Sequence, residues 1–146
     1  MDFLHTGLVV RDLDRMTEFY TDVLGLRVLD RIDSVAPEGG DHTGFPGARR
    51  KLVFLGFDDG HQLELVKYFE PKSPEAGCDR HDRGSMHVCF QVENISELYE
   101  RLSAQGVKFL TEPKFNRAPD GNTVGVVYFQ DPEGNWLEFV QHDVPT

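Results

Sequence analysis

The hydrophobic pattern of this chain changes period in one order, and that order occurs twice. Residues 3–10 read as a strand, and Arg11, Asp12, Leu13 and Asp14 then open a helix with acidic side chains near its positive end. Met16, Phe19, Tyr20, Val23 and Leu24 recur at spacings of three and four, as for one buried helical face, and Gly25 stops the run. A strand over 26–32 follows. Residues 33–48 hold Gly39, Gly40, Gly44, Pro46 and Gly47, which mark a loop or frayed hairpin between strands. Strands over 51–57 and 61–68 are joined by a tight turn at Asp58, Asp59 and Gly60. From 70 to 84 the chain turns polar, with Pro71, Pro74 and Gly77, and this is the natural junction. The order then restarts: strand 85–92, helix 95–105 stopped by Gly106, strand 107–111, a loop over 113–122, and strands 123–130 and 135–142. Strand, helix and three strands are thus predicted twice, an internal duplication within one domain of 146 residues, with modules over about 1–70 and 85–146.

The register of the repeat carries the chemistry. Arg11 stands six residues after His5 and Glu93 six after His87, while Gly25 and Gly106 follow those histidines by 20 and 19. His5 and His87 therefore occupy equivalent points on the two first strands, and Glu64 and Glu138 equivalent points on the two last. On a period of two, Leu8, Val10, Val88, Phe90 and Val92 take the face opposite the histidines. Gly7, Gln62, Glu64, Cys89 and Gln91 share the histidines' face. One face is oily and the other partly polar. Asp131, Pro132, Glu133, Gly134 and Asn135 write a tight turn into the last strand, where Glu138 sits between Trp136 and Val140. A carboxylate on a covered sheet face needs a partner. We expect that partner to be a divalent metal ion approached also by His5, Glu64 and His87.

Composition bounds the function classes. The chain is 39% hydrophobic and 27% charged, with no apolar run long enough for a membrane helix and no basic-then-apolar start of a signal peptide, so cytoplasm is the expected location. A net charge of −10 argues against a nucleic-acid or anionic-membrane surface, since both require a basic footprint. Cys78 and Cys89 lack a Cys-x-x-Cys spacing and read as free thiols. Arg49, Arg50 and Lys51 form a local basic cluster, expected to be a solvated strand end and otherwise suited to a small anionic substrate. His42, His61, His81 and His142 fall in loops, a turn or the terminus and are expected to face solvent. Phe54 and Trp136, as large aromatics, are expected in the core and otherwise to line the pocket.

Taken together, Leu4-His5-Thr6, the stretch Phe19 to Leu26, the strand Leu63-Glu64-Leu65-Val66, Met86-His87-Val88, and Asp131 to Glu138 resemble the vicinal oxygen chelate superfamily over nearly the whole chain. That superfamily includes glyoxalase I, methylmalonyl-CoA epimerase, extradiol dioxygenases, fosfomycin-resistance transferases and bleomycin-binding proteins. The resemblance implies an α+β fold of two βαβββ modules forming a U-shaped mixed sheet around a metal site, in a protein that forms a homodimer. Its ligand positions fall on His5, Glu64, His87 and Glu138. Two imidazoles and two carboxylates suit zinc, nickel, cobalt, manganese or iron(II), and with a divalent ion the site is formally neutral.

Glyoxalase I or epimerase chemistry is the leading expectation. The ion would polarise a carbonyl of a small substrate with neighbouring oxygens and stabilise an enediolate, while Glu138, or else Glu64, moves the proton. Epimerases of the family carry a further glutamate near the start of the third strand, where this chain has Gly47, Ala48 and Arg49. An extradiol iron(II) dioxygenase acting on a catechol is the alternative, with His5, His87 and Glu138 as its triad. Tyr128, ten residues before Glu138, fits its signature, whereas Pro119, Asp120 and Gly121 stand where a further histidine is wanted. A metal-free antibiotic-binding protein is the third reading, and the intact ligand set counts against it.

Overall fold

The computed structural model describes residues 2–57, 60–74, 79–117, 119 and 121–144. Asp58, Asp59, Gly77, Cys78 and Asp120 lie outside the described residues. The chain divides into two compact units, Met1–Gly77 and Cys78–Thr146, so that the division falls within the polar junction.

The first unit runs β1 (His5–Val9), α1 (Leu13–Glu18), a π-helical turn (Phe19–Val23), β2 (Arg27–Val35), β3 (Arg49–Gly56) and β4 (Gln62–Glu70). Its sheet has the order β1-β4-β3-β2, with β1 parallel to β4 and the other pairs antiparallel. Asp12 caps α1, its Oδ1 accepting from the Arg15 N–H at 3.1 Å. Where one continuous helix is expected over residues 13–24, the chain widens into a π turn that carries Phe19 and Tyr20 into the core. Gly25, at φ +82°, closes it, with the Leu26 N–H donating to the Tyr20 carbonyl. Met16 and Tyr20 of this helical segment, Leu55 on β3 and Leu65 on β4 are completely buried, and each stabilises the unit by roughly 1.5–3 kcal/mol. Residues 36–48 join β2 to β3 as a long hairpin connection, and β2 reaches Val35 rather than ending near Ile32.

The second unit runs β5 (His87–Gln91), α2 (Ile95–Ala104), β6 (Lys108–Phe109), β7 (Lys114–Arg117), β8 (Thr123–Gln130) and β9 (Trp136–Gln141). Its sheet has the order β5-β9-β8-β6, with β5 parallel to β9, and β7 also paired to β8. The βαβββ plan is therefore present in both units, with β7 as an additional strand in the second, as an α+β arrangement with mixed sheets. Strand β7 departs from the loop expected over 113–122. Only Phe115 of its four residues is strongly apolar, so no alternation marks it, yet Phe115 packs against Gly125, where an added Cβ would meet its ring at 3.0 Å.

Asn94 caps α2 as Asp12 caps α1, its Oδ1 accepting from the Glu97 N–H at 3.1 Å. A second device secures this end. The Ile95 N–H, which no helical carbonyl can reach, donates to Oε1 of the buried Gln141 on β9 at 2.9 Å. Gln141→Leu keeps the volume but strands that N–H, so we expect a loss of about 1–3 kcal/mol in urea unfolding with an unchanged slope. None of the helices among the described residues is long and apolar enough to cross a membrane.

Candidate metal-binding pairs

Strand pairing brings the sequence-predicted residues together two by two. In the first unit His5 opens β1 opposite Gln62, and Gly7 pairs with Glu64, which in turn pairs with Phe54. His5 Nε2 then stands 3.7 Å from Glu64 Oε2. In the second unit Cys89 pairs with Glu138, which pairs with Tyr128, and His87 Nε2 stands 3.2 Å from Glu138 Oε2. Both pairs share one pattern of exposure: the carboxylates are 16% and 13% exposed, the imidazoles 38% and 42%. Each sheet thus holds a carboxylate down among its strands with an imidazole open above it. The remaining histidines His42, His61, His81 and His142 are exposed, as expected.

The spacing within each pair fits a shared cation. Donors on adjacent vertices of an octahedral ion with bonds of ~2.1 Å stand ~3 Å apart, close to both pairs. In the first unit the backbone also leaves room for it. A Cβ on Gly7 would lie 3.2 Å from Glu64 Oε2, so glycine there keeps the carboxylate free to turn. Among the described residues, neither unit assembles three or more His, Cys, Asp or Glu side chains as a ready metal cluster; each holds a pair.

The pairs differ in what surrounds the carboxylate. Glu138 accepts hydrogen bonds from the Tyr128 hydroxyl and the Cys89 thiol. Burial of the Cys89 sulfur, then this bond and the Glu138 charge, push the thiol up to about 12, so it stays protonated as a donor. The residue as a whole is exposed; it is its sulfur, facing Glu138, that is desolvated. Partial burial and then Glu138 raise Tyr128 in the same way, with Arg80 opposing. The equivalent neighbours of Glu64 are Gly7 and Phe54, which offer no side-chain donor.

Aromatic rings finish both sites. Phe54 lies edge-on to His5 with centroids 5.9 Å apart, and Tyr128 edge-on to His87 at 5.3 Å. Phe54 and Trp136 are only half-buried and stand on the site faces, not in the core as expected, because register pairs Phe54 with Glu64 and Trp136 with His87. The Trp136 indole N–H is buried and has no acceptor among the described residues. The turn before it is built on buried Asp131, whose Oδ1 accepts from the Glu133 and Asn135 N–H groups, both at 2.9 Å. That carboxylate fixes where β9 starts and hence where Glu138 points.

Of the basic cluster, Arg49 and Lys51 are exposed as expected of a solvated strand end, and Arg50 departs from it. Arg50 is buried, with Nη2 3.0 Å from Ser34 Oγ and 3.6 Å from Asp41 Oδ2, and it ties the 36–48 connection to β3. The Thr43 hydroxyl and N–H donate to Asp41 and hold its carboxyl below the ordinary range.

Comparison with known proteins follows the same lines. The family model described as Glyoxalase/Bleomycin resistance protein/Dioxygenase superfamily matches residues 2–139. The chain belongs to this superfamily. Within it, the chain is 31% identical over 147 residues to a lactoylglutathione lyase of Haemophilus influenzae, covering 97% of this chain and 93% of that one. An uncharacterized Bacillus subtilis protein, YwbC, is 30% identical over 139 residues, covering 94% of each chain. Among solved structures, a glyoxalase family protein of Bacillus cereus superposes with a TM-score of 0.80 at 22% identity, over 97% of this chain and 93% of that one. The glyoxalase I of Leishmania major, described as trypanothione-dependent, gives a TM-score of 0.69 at 28% identity, over 97% of this chain and 86% of that one. The superfamily fold and the two βαβββ units of this chain agree.

Proposed function

We propose that this superfamily member is a metal-dependent lyase or isomerase of the glyoxalase I kind, with His5, Glu64, His87 and Glu138 as the protein ligands of a divalent ion. The observation that carries this reading is the repeated His–Glu pair, held at register-equivalent places in both sheets with Nε2–Oε2 spacings of 3.7 and 3.2 Å. The lactoylglutathione lyases of Haemophilus influenzae and Neisseria meningitidis, at 31% and 30% identity over 93% and 91% of their length, support the reaction class. When bound, the ion supplies Lewis-acid polarisation of a carbonyl oxygen.

The chain's own residues do the rest. Glu138 Oε takes the proton from the carbon beside that carbonyl and returns it to the neighbouring carbon. The Tyr128 hydroxyl and the Cys89 thiol hold the carboxylate in place for that transfer. Glu64, with His5 as its ion-pair partner among the described residues and space left by Gly7, is the second ligand carboxylate. Homodimer formation belongs to the same reading and is supported by the exposed apolar side chains Phe3, Leu4 and Val35.

The test is a nickel- or zinc-loaded sample given the hemithioacetal of methylglyoxal and glutathione, alongside acyl thioesters and catechols, in deuterated water. We expect isomerised product with no oxygen consumption, abolished by chelator and restored by metal. Oxygen uptake that depends on a catechol would instead assign the iron(II) dioxygenase reading.

A further inference from the structure

The second unit places one cation against its His–Glu pair. Arg80, seven residues before His87, lies with its guanidinium carbon 4.6 Å from the centroid of the Tyr128 ring and 5.9 Å from that of Trp136. The same Tyr128 ring meets the His87 imidazole at 5.3 Å and gives its hydroxyl to Glu138. Tyr128, Trp136, His87 and Glu138 all stand on one face of the sheet by register, so Arg80 lies over that face beside the pair. Among the described residues no carboxylate pairs with its guanidinium; only its backbone N–H is engaged, by Asp79 Oδ1 at 2.7 Å. This sets it apart from Arg50, which is buried and committed to Ser34 and Asp41.

Stacking on two rings fixes the plane of a guanidinium while leaving its N–H donors free along the edge. Such an edge matches a carboxylate in two parallel hydrogen bonds, a geometry that a neutral carbonyl does not need. The charge balance points the same way. If a divalent ion offsets the two ligand glutamates, as the proposed function has it, Arg80 is the charge left over, in a protein whose net charge is −10.

We propose that Arg80 is a specificity-determining residue that selects a substrate carrying a carboxylate a few bonds beyond its metal-chelating oxygens. This inference rests on the proposed function, and its test separates the two. The probes are 2-oxoglutarate and 2-oxopentanoate, which share the same pair of vicinal oxygens and differ in the distal carboxylate. Trp136, the single tryptophan, lies under Arg80 and reports binding by its fluorescence. With nickel-loaded protein we expect 2-oxoglutarate to bind about three- to tenfold more tightly, the range of a partly exposed charge pair. Arg80→Ala should erase the preference with bound nickel and the melting curve unchanged, and Arg80→Lys should keep part of it. Equal affinity for both probes in the unaltered protein, or a preference that survives Arg80→Ala, overturns the inference. A preference that needs Arg80 but persists unchanged in chelator-stripped protein upholds Arg80's role and counts against the metal reading instead.

Discussion

Replacing His87 with alanine is expected to lower affinity for a divalent ion by at least about a hundredfold, more than the 10–100-fold that follows loss of an outer partner of a metal ligand. The argument is local. His87 Nε2 stands 3.2 Å from Glu138 Oε2, and without it the carboxylate keeps only the Tyr128 and Cys89 donors, neither of which offers an imidazole nitrogen to an ion. Folding should be spared, since the imidazole is 42% exposed and the buried packing of the unit runs through Leu137, Phe129 and Phe139 on the opposite face. Elemental analysis of the purified variant, with calorimetric titration of zinc or nickel, reads the effect, and His81→Ala serves as control because the His81 side chain is 83% exposed on the junction. A His87→Ala protein that binds metal as the unaltered chain does would remove the metal assignment and leave the fold standing.

What the sequence made legible was what local chemistry writes down. Strand β8 ends where its alternation ends, at Thr123 and Gln130, and both helices start at an Asp or Asn whose side chain caps them and stop at Gly25 and Gly106. The duplication set His5 level with His87 and Glu64 level with Glu138, because equivalent register in two modules is visible without coordinates; that each histidine meets the glutamate of its own unit is a fact of strand pairing. Features that depend on which strand lies beside which were not legible in the same way. That Tyr128 and Cys89 both donate to Glu138 follows from the β8-β9 and β5-β9 pairings, and nothing along the chain fixes those registers. Arg50 likewise reads as one of three surface cations until Ser34 and Asp41 close over it. The π turn at Phe19 escapes a period of 3.6, and β7 has too few apolar residues to show a period at all. Arg80 sits in a stretch whose charges suggest only a solvated junction, and its place over two rings is a tertiary fact.

The asymmetry between the two carboxylates yields the other large effect. A general base must be held at the reacting carbon whether or not it is also bound to an ion, and proton transfer by a positioned side chain contributes about 10²–10⁴ in rate. Glu138 has that support from the protein itself, in the Tyr128 hydroxyl and the Cys89 thiol, whereas Glu64 has only His5 among the described residues to orient it and faces the gap at Gly7. Glu138→Gln is therefore expected to lower kcat by roughly 10²–10⁴ even at saturating metal, since the amide keeps the shape and cannot take the proton. Glu64→Gln should chiefly weaken metal binding, so that excess zinc or nickel recovers most of kcat. Measuring kcat against metal concentration for both variants, with bound metal counted in each, distinguishes the roles. If excess metal rescues Glu138→Gln but not Glu64→Gln, the base is Glu64, and the hydrogen bonds from Tyr128 and Cys89 serve to anchor a ligand that never leaves its place.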